Sequence, residues 1–167
     1  MKQHIQMLCV IAILLWGVGV GASASEYTDI GVTRDQIHNM LKQEGLNPTY
    51  NKFPALDGDA HTTATVWDPY IEIAMFGPDD ALNGVELSLR PSSDENDAYW
   101  QGYISLWLLT ATVPDWENRE EWFSRTIRGY STGALVDKLG FDRPGRRIEV
   151  AMSNGYFVLS ISGVRNQ

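Results

Sequence analysis

Cysteine is almost absent from this sequence. Among its 167 residues only Cys9 is a cysteine, and it lies in an apolar N-terminal stretch. This excludes an intramolecular disulfide framework and a zinc site built from several cysteines. Histidine is also scarce, with three residues, and the one Gly-x-Ser-x-Gly match, at residues 129–133, lies at the end of a predicted helix instead of following a strand as a nucleophile elbow does. The sequence indicates neither a Ser-His nucleophile nor a cofactor-binding motif, so we expect no cofactor.

Positive charge is the second shortage. The chain carries 13 basic and 21 acidic residues, a formal net charge of −8. Because phosphate backbones bind basic surfaces, nucleic acid is excluded as a partner. The deficit is uneven, since residues 25–118 hold 4 basic and 16 acidic residues whereas residues 119–167 hold 8 and 5. We expect the main positive potential to lie in the C-terminal part.

A long hydrophobic run is also lacking. The apolar run at residues 7–20 is shorter than the roughly 20 residues that a membrane-spanning helix needs. Lys2 precedes the run and small residues at 22–24 follow it, which is the pattern of a cleavable secretory signal. We expect residues 1–24 to be a signal peptide and residues 25–167 to be one acidic, disulfide-free domain without stable membrane insertion. The predicted signal peptide indicates a secreted or periplasmic protein, and the missing disulfides, together with the absence of an allowed glycosylation sequon, favour a bacterial one.

The spacing of apolar residues predicts an α+β fold. A capping box at Thr33 begins a first helix, and Gly45 ends it. Alternating apolar residues predict three strands within residues 62–90, and two further helices follow within residues 97–130. The Asn-Gly pair at 154–155 predicts a closing hairpin. The order helix, three strands, two helices, two strands indicates a single antiparallel sheet of about five strands with helices packed on one face.

The second predicted helix is unusually rich in aromatic residues. Tyr99, Trp100, Tyr103 and Trp107 lie within nine residues. Helical spacing places the last three on an apolar stripe together with Ile104 and Leu108, and we expect this stripe to belong to the core. The alternative is an exposed row of rings that stacks on sugars.

The predicted element order resembles that of the small acidic chaperones of bacterial secretion systems. Those proteins also place an N-terminal helix, three strands, a helix and a hairpin in sequence. The resemblance covers element order and acidity without a shared motif, and it implies a fold alone. A cytoplasmic location, which those chaperones have, is contradicted by the predicted signal peptide.

One segment has the composition of a metal site. Asp57, Asp59 and His61 alternate along a predicted loop and could direct three ligands to one side, a set that suits a divalent ion. The same Asp-Gly-Asp sequence is typical of a solvated turn before a strand. We favour the turn, because no zinc spacing or calcium-loop pattern accompanies the segment.

Five residues are candidates for partner binding. Arg143, Arg146 and Arg147 surround a Pro-Gly turn, and their guanidinium groups suit carboxylates or phosphates. The alternative, which we favour, is that these arginines pair with the acidic part of the same domain. Trp116 and Trp122 would be partner anchors if they were exposed.

These patterns favour an exported, non-enzymatic binding or accessory domain that acts on a protein or peptide partner. The first alternative is a small secreted hydrolase that uses carboxylates from the loops at 57–61 and 92–97. It requires two acids in one cleft and a raised pKa on one of them. The second alternative is a secreted inhibitor or immunity protein, which would present a rigid loop or the arginine turn.

Overall fold

The computed structural model describes residues 27–54, 60–133 and 138–165, in which three helices accompany one antiparallel sheet. The helices are α1 (Arg34–Gln43), α2 (Glu95–Thr112) and α3 (Arg119–Ser131). The strands are β1 (Thr49–Phe53), β2 (His61–Trp67), β3 (Tyr70–Phe76), β4 (Gly84–Leu89), β5 (Leu139–Arg143), β6 (Arg146–Ser153) and β7 (Tyr156–Gly163). The predicted α+β class is therefore confirmed. The predicted signal peptide, residues 1–24, lies outside the described residues.

The seven strands form a single sheet in the order β1-β2-β3-β4-β7-β6-β5, and every neighbouring pair is antiparallel. The strands make two meanders, β1 to β4 and β5 to β7. Helices α2 and α3 separate the meanders along the chain, and the pairing of β4 with β7 joins them in space.

The prediction of about five strands was wrong, because it missed the two strands at the edges of the sheet. All five residues of β1 are exposed, so β1 lacks the alternation of buried and exposed side chains that marks a strand. Strand β5 pairs only with β6, across a turn in which Gly145 has a φ of 70°. Edge strands have one neighbour and bury little, so they leave a weak hydrophobic pattern in the sequence.

One face of the sheet forms the hydrophobic core. Residues in register across the four central strands are buried on it, namely Ile73, Leu87, Leu159 and Val150. The described helices contribute to the same cluster, through residues that include Ile37, Leu41, Ile104, Leu108 and Phe123. We call the opposite face, which carries half-buried and mainly polar residues such as Glu72, Glu86 and Ser160, the open face.

Helix α2 turns a different side to the core from the one that its aromatic residues predict. Its buried residues are Gln101, Ile104, Ser105, Leu108, Leu109 and Thr112. Trp100, Tyr103 and Trp107 are only partly buried beside this stripe, and Tyr99 is 62% exposed. The hydroxyls of Ser105 and Thr112 donate to carbonyl oxygens one turn earlier in the same helix, at 2.7 Å each. Small side chains whose polar groups the helix itself satisfies allow close approach to the sheet, and the large rings lie at the flank.

The local signals at the ends of the elements are confirmed. Thr33 and Gln36 exchange both capping-box hydrogen bonds at the start of α1. Asn154 and Gly155, with φ values of 52° and 81°, form the turn between β6 and β7. Within the described ranges, the helices are too short or too polar to cross a membrane.

Candidate functional site

The predicted metal segment is only partly within the described residues. Asp57 and Asp59 lie outside them, and His61 is the first residue of β2. The His61 ring stacks on Phe53 at a centroid distance of 4.8 Å and contacts Phe76 at 5.0 Å. No group of three or more metal-binding side chains occurs in the part of the chain that the structure describes. The described part of the segment is therefore an aromatic contact, and the metal site stays a prediction.

Three of the predicted binding residues form one stack. The Arg143 guanidinium carbon lies 4.4 Å from the centroid of a Trp116 ring, and the Trp116 and Trp122 rings are 4.8 Å apart. Trp116 is buried, with 6% of its surface exposed. A cation over an indole is attracted to the ring. Trp116 is thus covered by its own chain, and a partner would meet Arg143 or Trp122 first.

The other two arginines diverge, because consecutive strand residues point to opposite faces of a sheet. Arg146 donates to the carbonyl oxygens of Thr112 and Gly145, at 3.3 and 3.0 Å, which ties the end of α2 to β6. Arg147 donates to Glu149 at 3.1 Å and to Asp142 at 3.2 Å. These carboxylates raise the pKa of Arg147. Every arginine of the turn therefore has an intramolecular partner.

An apolar groove, not foreseen from the sequence, lies between the first half of α2, the second half of α3 and the sheet. Its volume is about 320 Å³. We call this site the groove, and its lining residues are Leu89, Pro91, Ser92, Ala98, Gln101, Gly102, Phe123, Ile127, Tyr130, Met152 and Phe157. Apolar side chains at its mouth reach the surface, since Ile127 is 36% and Met152 38% exposed. An exposed apolar concavity of this kind marks a binding site more often than a defect of packing.

The polar side chains that line the groove are engaged within the protein. Gln101 donates to the carbonyl oxygen of Arg90 at 2.7 Å, and Ser92 donates to Asp97 at 2.8 Å. The Tyr130 hydroxyl donates to the carbonyl oxygen of Val150 at 3.0 Å. An occupant consequently needs no hydrogen-bonding groups of its own inside the groove, and an apolar group fits it best.

Gly102 borders open space in the groove. A Cβ atom placed on Gly102 would meet no heavy atom within 4 Å. Glycine inside a helix destabilises it by roughly 0.5–1 kcal/mol relative to alanine. Close packing therefore does not require a glycine at this position, and the groove has room for a larger side chain there.

One margin of the groove is acidic. Ser92 and Ala98 line the groove, and the segment between them carries Asp94, Glu95 and Asp97. Asp94 caps α2 through the amides of residues 96 and 97. No ion pair joins these three carboxylates to any of the residues that the structure describes. The margin therefore presents uncompensated negative charge to solvent.

A second concavity of about 610 Å³ lies on the open face, where β3 ends and β4 begins. We call it the trough, and its lining residues are Tyr27, Ala60, Phe76, Gly77, Pro78, Asn83, Gly84, Val85, Glu86, Glu149, Ser160, Ile161 and Ser162. Ser160 on β7 pairs with Glu86 on β4 and with Glu149 on β6, so the two carboxylates flank it. The Ser160 hydroxyl donates to Glu86 at 3.0 Å.

The trough contains two carboxylates, as the hydrolase alternative requires, but their chemistry does not favour it. Lys138, at 2.7 Å, and Arg147 hold the pKa of Glu149 below its ordinary value. A general acid needs the opposite shift. The strands that carry Glu86 and Glu149 are also two strand spacings apart, about 10 Å. The pair is therefore a poor acid–base couple.

The sequence contained one signal for the groove, which was Gly102 inside a helix that is otherwise strongly apolar. The remaining lining residues come from β4, the loop that follows it, α2, α3, β6 and β7, and no single sequence pattern connects them across these elements. Comparison with known proteins adds no relative, since no protein-family model matches the chain and no curated protein or solved structure shows significant similarity to it.

Proposed function

We propose that this protein is an exported, non-enzymatic binding domain that holds an apolar side chain of a protein partner in the groove. The observation that carries the proposal is a preformed apolar groove in which the polar lining groups are satisfied internally. Gly102 borders open space in the groove, at a position where an alanine would have met no atom within 4 Å and would have stabilised the helix. These features are typical of a ligand-binding site rather than of an unfilled space in the hydrophobic core.

A partner that inserts one side chain gains limited free energy from it. Complete burial of a leucine or phenylalanine side chain contributes about 1.5–3 kcal/mol. Binding of useful affinity therefore needs further contacts around the anchor. The acidic margin at Asp94, Glu95 and Asp97 supplies them, because it attracts lysine or arginine next to the apolar side chain and accelerates association.

Selection of a phage-displayed peptide library on the purified protein tests this proposal. We expect enriched peptides to share an apolar residue flanked by basic residues. Synthetic peptides with a Lys-Leu-Lys, Lys-Ser-Lys or Glu-Leu-Glu centre then separate the two contributions by fluorescence anisotropy. Only the first should bind well, and its affinity should fall as salt is raised.

Variants of Gly102 locate the binding site. Gly102→Leu fills the groove and should weaken binding of the Lys-Leu-Lys peptide by at least about tenfold, or 1.4 kcal/mol. Gly102→Ala should stabilise the protein by about 0.5–1 kcal/mol while binding persists. Ser124→Leu adds the same side chain at an exposed position of α3 that does not line the groove, and serves as the matched control. Equal binding by the Gly102→Leu and Ser124→Leu variants would refute the proposal.

A further inference from the structure

The trough lies on the other face of the sheet from the groove and has a different chemistry. Two cross-strand rows form its floor. Phe76, Gly84 and Ser162 lie in register in one row, and Glu86 and Ser160 lie in the next. A Cβ atom on Gly84 would lie 3.6 Å from both Cβ and Cδ2 of Phe76, so the Phe76 side chain packs over this glycine at the edge of the trough.

The two carboxylates of the trough differ in how their charge is balanced. Glu149 is paired with Lys138 at 2.7 Å and with Arg147 at 3.1 Å. Glu86 accepts a hydrogen bond from Ser160, and none of the described lysine, arginine or histidine residues forms an ion pair with it. A carboxylate has about four acceptor positions, so Glu86 retains most of its capacity after binding Ser160. The trough therefore carries one oriented, uncompensated negative charge.

We propose that the trough binds a small primary aliphatic amine in its ammonium form. The ammonium group donates to Glu86 and to the hydroxyls of Ser160 and Ser162, and three donors are what an ammonium group has. The aliphatic stem lies against the Phe76 ring, whose face attracts nearby positive charge. The volume of about 610 Å³ belongs to the range of small-molecule sites.

This site does not depend on the groove, and its test is separate. The probe is n-butylammonium, titrated into the purified protein and followed by chemical-shift changes in two-dimensional NMR spectra. n-Butanol, which has the same stem without the charge, and glucose, which has hydroxyls without the charge, are the comparison ligands. We expect saturable shifts at Glu86, Ser160 and Ser162 with n-butylammonium alone, weakened by added salt.

Glu86→Gln keeps the shape of the side chain and removes its charge, and should weaken n-butylammonium binding by about tenfold. Glu72→Gln is the matched control. Glu72 lies on the same face of the neighbouring strand, accepts from Thr65 at 3.3 Å, and does not line the trough. Thermal unfolding of both variants verifies that they are folded. Equal binding of n-butanol or tighter binding of glucose would overturn the proposal, and so would n-butylammonium binding that Glu86→Gln leaves unchanged.

Discussion

At the scale of single residues, the arginines of the turn at 143–147 act within the molecule. Arg143 covers Trp116, Arg146 joins α2 to β6, and Arg147 lies between two carboxylates. Each contact is partly exposed to solvent, so each is expected to contribute modestly. Substitution of these arginines should therefore lower the stability of the fold and leave partner binding intact.

Replacement of Arg143, Arg146 and Arg147 by serine should lower the free energy of unfolding modestly, because it removes a cation–π contact and several partly exposed polar contacts. Urea unfolding measures the loss. Arg125→Ser, which removes only an exposed i,i+4 pair with Glu121, is the control and should cost about 0.5 kcal/mol or less. An unchanged urea midpoint combined with lost peptide capture would instead make the turn the binding site.

Glu149 should give stability a measurable dependence on pH. Its pKa is lowered in the folded state from an ordinary value of 4.5, first by Lys138 and then by Arg147. Folding thus favours the charged form of Glu149. The stabilisation that this carboxylate contributes is complete above its ordinary pKa and is lost as the pH falls through the lowered pKa of the folded state. At pH 7 we expect the free energy of unfolding of the wild-type protein to exceed that of the Glu149→Gln variant by at most about 1 kcal/mol. In urea unfolding the difference should shrink as the pH falls below 4.5 and disappear below the lowered folded pKa. A difference that grew there would contradict the assignment.

At the scale of elements, the sequence predicts the existence of α2 but only part of the side that it buries, since Ile104 and Leu108 of the predicted stripe are fully buried and its aromatic residues are only partly buried. If the largest apolar side chains are assumed to be buried, aromatic residues at helical spacing indicate a core stripe. In the structure Ser105 and Thr112 are also buried, because their hydroxyls are satisfied inside the helix. That hydrogen bonding is invisible in a hydrophobicity pattern, so the stripe was misplaced toward Trp107.

The two residues Trp107 and Leu108 test the orientation of α2. Leu108 is fully buried, so Leu108→Ala should cost about 2–5 kcal/mol. Trp107 is only partly buried, so Trp107→Ala should lower the free energy of unfolding less than Leu108→Ala does, although it removes a larger side chain. Urea unfolding of both variants compares them directly. The reverse order would show that the aromatic stripe faces the core after all.

The capping box of α1 and the Asn-Gly turn of the last hairpin were predictable, because each depends on residues close together in the chain. Strands β1 and β5 were not, since their exposed side chains carry little pattern. The groove was beyond prediction for another reason. Leu89, Gly102, Ile127 and Met152 meet only after two meanders and two helices have come together.

At the scale of the whole molecule, the groove and the trough share the two central strands. Leu89 and Phe157 line the groove near one end of β4 and β7, whereas Glu86 and Ser160 line the trough on the opposite face. A partner side chain and a small amine could therefore be bound at once. Both sites offer negative charge, in agreement with a net charge of −8.

Export is a prediction about the chain as a whole, and it has a direct test. We expect the mature protein to begin at Ser25 or within two residues of it, because the small residues at 22–24 match a signal-peptidase site. Expression of the full-length gene in a bacterial host, followed by N-terminal sequencing of the periplasmic fraction, measures this. Recovery of protein that begins at Met1, in the cytoplasm, would contradict it.

The pairing of β4 with β7 also determines how the chain must fold. Within each meander neighbouring strands are close in sequence, and hairpins of this kind form quickly from local contacts. Among the paired strands that the structure describes, β4 and β7 are the distant pair, since Leu89 pairs with Phe157 across α2 and α3. Formation of the β4–β7 pairing should limit the folding rate. This pairing brings the acidic meander β1 to β4 against the meander β5 to β7, which belongs to the net-positive part of the chain. Electrostatic attraction between the two meanders should speed their pairing, and added salt should slow it.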